Sequence, residues 1–198
     1  MALVVSLMTV GPDLSRDPVW LDTMTGFLED LFAGGWELKS WSLPLRPIMA
    51  RGLVPGIRRV WKRQATARSM LLPVMQRRRE AQRACEKEGG KYAKPNDLLQ
   101  WLMDNAAKAS PPRTDAFVAD MCLVVGFGAL HASTISLANV VFDLAAMPES
   151  ADMIREEYAS LQRDAANTDN PISLINGMGK LDSFMKESQR VNPVALSE

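Results

Sequence analysis

The chain has 198 residues, 47% of them hydrophobic, which is enough for one globular domain with a sizeable core and too few to require two. Lys and Arg total 23 and Asp and Glu total 23, so no net charge draws the whole molecule to nucleic acid or an anionic membrane, and any such attraction is local. Two cysteines, Cys85 and Cys122, with a single histidine exclude a disulfide framework and a Cys/His zinc site of ordinary ligand spacing; a reducing compartment fits.

The opening Met1 to Val10 is apolar without a basic flank, and Gly11, Pro12 and Asp13 interrupt it before it reaches the length of a signal sequence or a span. It reads as the second half of a helix with no capping residue ahead, so the chain looks cut rather than started. Trp20, Leu21, Met24, Phe27, Leu28 and Leu31 recur at spacings of three and four, predicting an amphipathic helix over 18–32 that ends near Gly34 and Gly35. From Trp41 to Ile57, Pro44, Pro47, Pro55, Gly52 and Gly56 punctuate an apolar stretch and make it a connection. Arg58 to Glu88 reads as a long charged helix, kinked at Pro73 and ended by Gly89 and Gly90, with a buried stripe of Val60, Trp61, Met70, Leu71, Val74 and Met75. Its basic residues Arg58, Arg59, Lys62, Arg63, Arg77, Arg78 and Arg79 are expected to form a solvated face. Without interleaved stacking aromatics they do not read as a nucleic-acid surface.

A short helix over Asn96 to Ala107 follows, with Asn96 as its cap, and Pro111 and Pro112 close the next connection. Thr114 to Ala146 is the dominant feature: Thr114 caps, Asp115 suits the positive helix end, and the helix extends roughly 50 Å at about 1.5 Å per residue. It is apolar nearly all round and belongs in the middle of a protein; Asp120, His131, Asn139 and Asp143 argue against a membrane span. Pro148 opens a helix to about Arg163, Asn167 to Pro171 is a loop, and a last helix covers about 179–191 before Pro193. No strand is predicted, so the fold class is mainly α.

Two segments carry chemistry. In the long helix, Gly126-Phe127-Gly128-Ala129-Leu130-His131-Ala132-Ser133-Thr134 contains two interior glycines, each costing about 1 kcal/mol against alanine. Close helix packing accounts for such glycines; so does a flat cofactor lying against small residues, with hydroxyls that bond back to carbonyls loosening the turn. A lone His131 on an apolar helix is more often a satisfied core residue than a ligand. The second segment, Leu181-Asp182-Ser183-Phe184-Met185-Lys186-Glu187-Ser188-Gln189-Arg190-Val191-Asn192-Pro193, holds Glu187 and Arg190 on one helical face. The bare Glu-x-x-Arg pattern is weak, since Glu80 and Arg83 repeat it in the same chain.

Together and in this order, the two segments resemble the distal helix and the ExxR helix of the cytochrome P-450 family, haem-thiolate monooxygenases, in its fungal secondary-metabolism members. The resemblance implies the central helical portion of that fold, incomplete: a single partial domain over 1–198 with roof helices over about 1–108, the distal helix over about 114–146, a following helix over about 148–163 and the ExxR helix over about 179–191. It implies a distal groove of Gly128, Ala129, His131, Ala132, Ser133 and Thr134, with His131 at the family's acid position, and a structural pair in Glu187 and Arg190. Haem, a reductase and a lipophilic substrate are the cofactor and partners it implies. Membrane-surface contact by Trp41, Leu45, Ile48, Met49, Leu53 and Val54 in the 41–57 connection is also implied, and with it a cytoplasmic setting or one peripheral to the endoplasmic reticulum.

The sequence departs from the family pattern in three places. Ala132 stands where the family has its proton-relay threonine, and a helix turns about 100° per residue, so Ser133 and Thr134 point elsewhere. No Phe-x-x-Gly-x-x-x-Cys-x-Gly loop supplies the thiolate ligand, neither Cys85 nor Cys122 has that setting, and no Trp-x-x-x-Arg is present. A buried Glu187/Arg190 pair lacking the family's third partner is expected to be poorly compensated. The expectation is therefore a truncated, inactive monooxygenase-like chain that holds no metal and does not stably bind haem by itself. An incomplete reading of a functional haem-dependent monooxygenase and a non-catalytic helical interaction module are the alternatives.

Overall fold

A computed structural model describes residues 1–164 and 171–193, and every regular element among them is helical. The chain forms two compact units, Met1–Leu130 and His131–Glu198.

In the first unit, α1 (Ala2–Val10) begins without a side-chain cap. The α2 helix (Pro18–Lys39) starts where Pro18 takes the first position and the Asp17 carboxylate accepts from the amides of Val19 at 2.8 Å and Trp20 at 3.1 Å. Trp20 is fully buried, and its Nε1 donates to Ser6 Oγ at 3.0 Å, so the largest core side chain also satisfies its polar atom. The helix does not end at Gly34 and Gly35. A Cβ on Gly34 would lie 3.0 Å from the Gly56 carbonyl carbon, and one on Gly56 only 2.4 Å from Gly34 Cα, so the two glycines let α2 and α4 (Pro55–Lys87) cross backbone to backbone. Packing against α4 thus offsets the propensity cost that predicted a stop.

Between these helices the chain makes a 3-10 turn at Leu43–Leu45 and a four-residue α3 (Arg46–Met49), short proline-led pieces in the predicted connection. The α4 helix starts three residues earlier than expected because Pro55 suits a first turn, and it continues through Pro73. Val60, Leu71, Val74 and Met75 are buried as predicted, whereas Trp61 is 48% exposed and its ring covers Gly52.

The basic run of α4 is not simply solvated. Arg58, Lys62 and Arg77 are exposed, but the other arginines join α4 to its neighbours. Arg59 and Arg63 both pair with Asp30 of α2, and Arg63 also donates to the Asp22 carbonyl at 2.7 Å. Arg68 grips Asp120, and Arg79 grips Asp115, each through two bonds onto α6 (Asp115–Ala146). Arg78 is buried and donates to both Asp97 carboxylate oxygens at 2.7 and 2.6 Å and to the Val10 carbonyl at 3.3 Å. Periodicity cannot distinguish an arginine that faces water from one that faces a carboxylate on another helix.

Asp97, not Asn96, caps α5 (Leu98–Lys108), accepting from the Gln100 amide at 2.8 Å. Thr114 Oγ1 accepts from the Phe117 amide at 3.2 Å at the start of α6, as predicted. Val118, Ala119, Cys122 and Leu123 enter the core with Met24, Leu71, Met75 and Leu99, and Phe27 meets Phe127 with ring centroids 5.3 Å apart.

The second unit holds the rest of α6, α7 (Pro148–Asp164), α8 (Pro171–Gly177) and α9 (Gly179–Val191). The predicted loop over Asn167 to Pro171 lies outside the described residues except for Pro171, which opens α8, a helix not anticipated. Glu157 of α7 accepts from the amides of Lys180 at 2.8 Å and Leu181 at 3.3 Å and so satisfies the α9 N-terminus from another helix.

Candidate functional site

The two glycines of the α6 segment serve different ends. A Cβ on Gly126 would sit 3.2 Å from Thr9 Cγ2 and 3.5 Å from Met24 Sδ, so this position lets α1 and α2 approach α6 closely, while a Cβ on Gly128 would meet nothing within 4 Å. Gly126 therefore has a packing reason and Gly128 has none. At about 100° per residue, Gly128, Ala129, Ala132 and Ser133 make one stripe of small side chains along the helix, and Ala129, Ala132 and Ser133 are exposed. Thr134 falls well away from Ala132 around the helix axis, and its hydroxyl does not replace a lost one there.

His131 lies off this stripe. Its ring is half-buried, and Nε2 is buried without a hydrogen-bond partner among the described residues, so it is not the satisfied core histidine that its surroundings in sequence suggested. No group of His, Cys, Asp and Glu among the described residues is arranged to hold a metal ion.

Glu187 and Arg190 form a two-bond pair, Nε to Oε2 at 2.8 Å and Nη2 to Oε1 at 2.6 Å. The arginine holds the carboxyl below its ordinary range, and the carboxylate raises the guanidinium. The pair is not buried: its side chains are 61% and 71% exposed, so the poorly compensated buried pair expected from sequence does not arise here. What anchors α9 is the residue between them. Ser188 is 4% exposed and donates to Asp143 Oδ2 at 2.5 Å, Asn192 Nδ2 reaches the same oxygen at 3.3 Å, and Asn139 Nδ2 donates to the Asn192 carbonyl at 3.3 Å. Sequence reasoning missed this latch. Its signal was Asn139 and Asp143 at i, i+4 on an otherwise apolar helix.

The α6 helix is long and apolar enough to cross a membrane by length and composition. Its aspartates are nevertheless engaged by protein partners: Asp115 by Arg79, Asp120 by Arg68, and Asp143 by Ser188 and Asn192.

A family model for cytochrome P450 matches residues 24–198, most of the chain. The chain belongs to the cytochrome P450 family. Among curated relatives it is 33% identical over 195 residues to cytochrome P450 monooxygenase BOA4 of Botryotinia fuckeliana, which covers 98% of this chain and 37% of that protein. It is 32% identical to cytochrome P450 monooxygenase ausG of Emericella nidulans, over 96% of this chain and 34% of the relative. A third relative, cytochrome P450 monooxygenase adrA of Penicillium rubens, is 32% identical over 100% of this chain and 37% of its own length. The chain thus spans little more than a third of the length of these relatives, and its helices are a partial cytochrome P450 helical region.

Haem is the family's cofactor, and the two cysteines can be tested against it. Cys122 is buried with its sulfur 3.9 Å from the Thr9 carbonyl; burial, reinforced by Asp97, pushes its thiol up to about 12, so it remains protonated in ordinary buffers. Cys85 is half-buried near the end of α4, against Gly90. Cys122 is not presented as a thiolate and Cys85 lies at a helix end, far in sequence from the α6 stripe, so the residues present do not fit the iron-ligating role, although the open small-residue stripe of α6 suits a flat neighbour.

Proposed function

We propose that these residues are the roof, distal-groove and ExxR portion of a haem-thiolate monooxygenase of the kind that oxidises lipophilic secondary metabolites, and that the 198 residues alone do not activate oxygen. The observation that carries the assignment is the open stripe of Gly128, Ala129, Ala132 and Ser133, small residues beside the buried Gly126 and Leu130 of the same helix. In this reading the stripe borders the distal face of haem, His131, whose Nε2 has no partner among the described residues, stands at the family's acid position, and Glu187 with Arg190 awaits a further partner. Inactivity rests on two features: Ala132 offers no hydroxyl where the family relays protons, and the buried Cys122 thiol holds its proton.

A reductase would supply electrons, and the 41–57 connection would touch a membrane surface such as that of the endoplasmic reticulum. Trp41, Leu45, Ile48 and Leu53 are exposed and support this, whereas Val54 is buried and does not take part. The covered share of the relatives, 37% in the first, favours a second reading in which the same residues are the middle of a longer, functional monooxygenase.

The reduced carbon monoxide difference spectrum of the purified chain supplied with haem tests the proposal. Absence of the red-shifted Soret band of thiolate-ligated haem is expected; its appearance would assign a thiolate ligand to Cys85 or Cys122 and end the inactive reading. Finding a Phe-x-x-Gly-x-x-x-Cys-x-Gly coding segment downstream, with that band in the longer product, selects the second.

A further inference from the structure

A basic cleft in the first unit belongs to none of the features above. It has a volume of about 370 Å³ and is lined by four cations from separate segments: Arg79 of α4, Lys94 ahead of α5, Lys108 at the end of α5 and Arg113 in the connection to α6. The chain carries no net charge, so this local excess is a matter of placement. Two of the four have acidic partners, Arg79 in Asp115 and Lys94 in Asp104. Lys108 and Arg113 are exposed, and Arg113 lies 5.4 Å from the centre of the Phe117 ring.

The cleft also presents an acceptor. Asp104 takes one bond from Gln100 Nε2, at 3.1 Å to Oδ1, and one from Lys94, and its side chain is 33% exposed. Lys94 holds the Asp104 carboxyl below its ordinary range, so Asp104 stays ionised and can only accept. A ligand that completes this set must offer anionic oxygens to Lys108 and Arg113 and an O–H to Asp104.

We propose that this cleft binds a phosphate group that retains one hydroxyl, as in inorganic hydrogenphosphate or the monoprotonated headgroup of a phosphatidate lipid. Near neutral pH sulfate has the same shape and charge but no proton to donate, so it would face Asp104 with bare oxygens. A hydrogen bond to an ionised carboxylate corresponds to about tenfold in affinity. The proposal goes beyond the monooxygenase reading and does not depend on it, since no haem enters its test.

The experiment is calorimetric titration of the full chain with inorganic phosphate and with sulfate at matched ionic strength, beside flotation with phosphatidate-containing and pure phosphatidylcholine vesicles. Phosphate binding at least about tenfold tighter than sulfate, lost by about tenfold or more in a Lys108→Gln/Arg113→Gln variant, is the expected result. Both side chains are exposed, so the variant retains its fold, which far-UV circular dichroism checks. Selective flotation with phosphatidate that the same variant abolishes, without a free-phosphate signal, would support the site and assign the lipid source. No binding in either arm, equal affinity for sulfate, or an unaffected variant would overturn it.

Discussion

Replacing Asp97 tests the account of how the first unit is held together. Its side chain is 2% exposed and performs three tasks: it receives two bonds from Arg78, itself 8% exposed; it caps α5; and it fixes the turn after α1, because Arg78 also holds the Val10 carbonyl. Gly11 is confined by the same carboxylate: at φ +77° it adopts backbone that favours glycine, and a Cβ there would lie 2.6 Å from Asp97 Oδ2. Asp97→Ala removes a cap, costing about 1 kcal/mol, and strands a buried guanidinium, costing about 3–5 kcal/mol. A total near 4–6 kcal/mol is a large share of the roughly 5–15 kcal/mol that stabilises a domain. Asp97→Asn keeps an acceptor for the Gln100 amide and should recover about 1 kcal/mol, the cap alone. Arg78→Met combined with Asp97→Asn removes both charges and should be less damaging than Asp97→Ala alone. Urea unfolding of the wild type, Arg78→Met, Asp97→Asn and the double variant, with Asp97→Ala alongside, followed by far-UV circular dichroism gives the four values of the cycle. An Asp97→Ala loss below about 1 kcal/mol, or strict additivity in the double variant, would refute the reasoning.

The thiols offer a second check: native protein at mildly alkaline pH should expose only Cys85 to a thiol reagent and denatured protein both, and fast native reaction of Cys122 would contradict its burial. Gly34→Ala should cost about 1–3 kcal/mol because its Cβ meets backbone of α4; Gly128→Ala, with open space, should stabilise by up to about 1 kcal/mol, and thermal melts that reversed this order would sink the packing argument. Arg79 holds the Asp115 carboxyl below its ordinary value near 3.8. A depressed folded value gives stability that is full above the ordinary value and is lost as pH falls through the folded one. Acid unfolding curves should therefore be shallower in Asp115→Asn, and an unchanged curve counts against the pair. Ile135, Leu137, Val141 and Phe142 are exposed on the second part of α6, so the isolated chain should bind a hydrophobic dye and aggregate readily; a sharp melt of monomer without dye binding is the contrary outcome.

The helical class, the family and the existence of nearly every helix were legible in the sequence because they depend on local signals. Pro18 and Pro148 mark first turns, and Thr114 caps α6. The range 179–191 was read from its flanking glycine and proline and is the range of α9. The small-residue segment and the Glu187–Arg190 pattern pointed to the family for the same reason, being short motifs whose order along the chain is itself informative.

Other decisions needed the third dimension. The α2 helix overrides Gly34 because Gly56, distant in sequence, lies against it; Asp97 outcompetes Asn96 as a cap because Arg78 reaches it from α4; and three arginines of a face that looked solvated, Arg59, Arg63 and Arg79, find carboxylates on α2 and α6, with Arg78 buried against Asp97. Which glycine packs and which lies open cannot be read from Gly126 and Gly128 as letters, since both cost the helix alike and only the neighbours differ. Local propensity determined where this chain turns helical, while the partners of its charges and the spaces around its smallest residues were decided by contacts between segments that the sequence keeps apart.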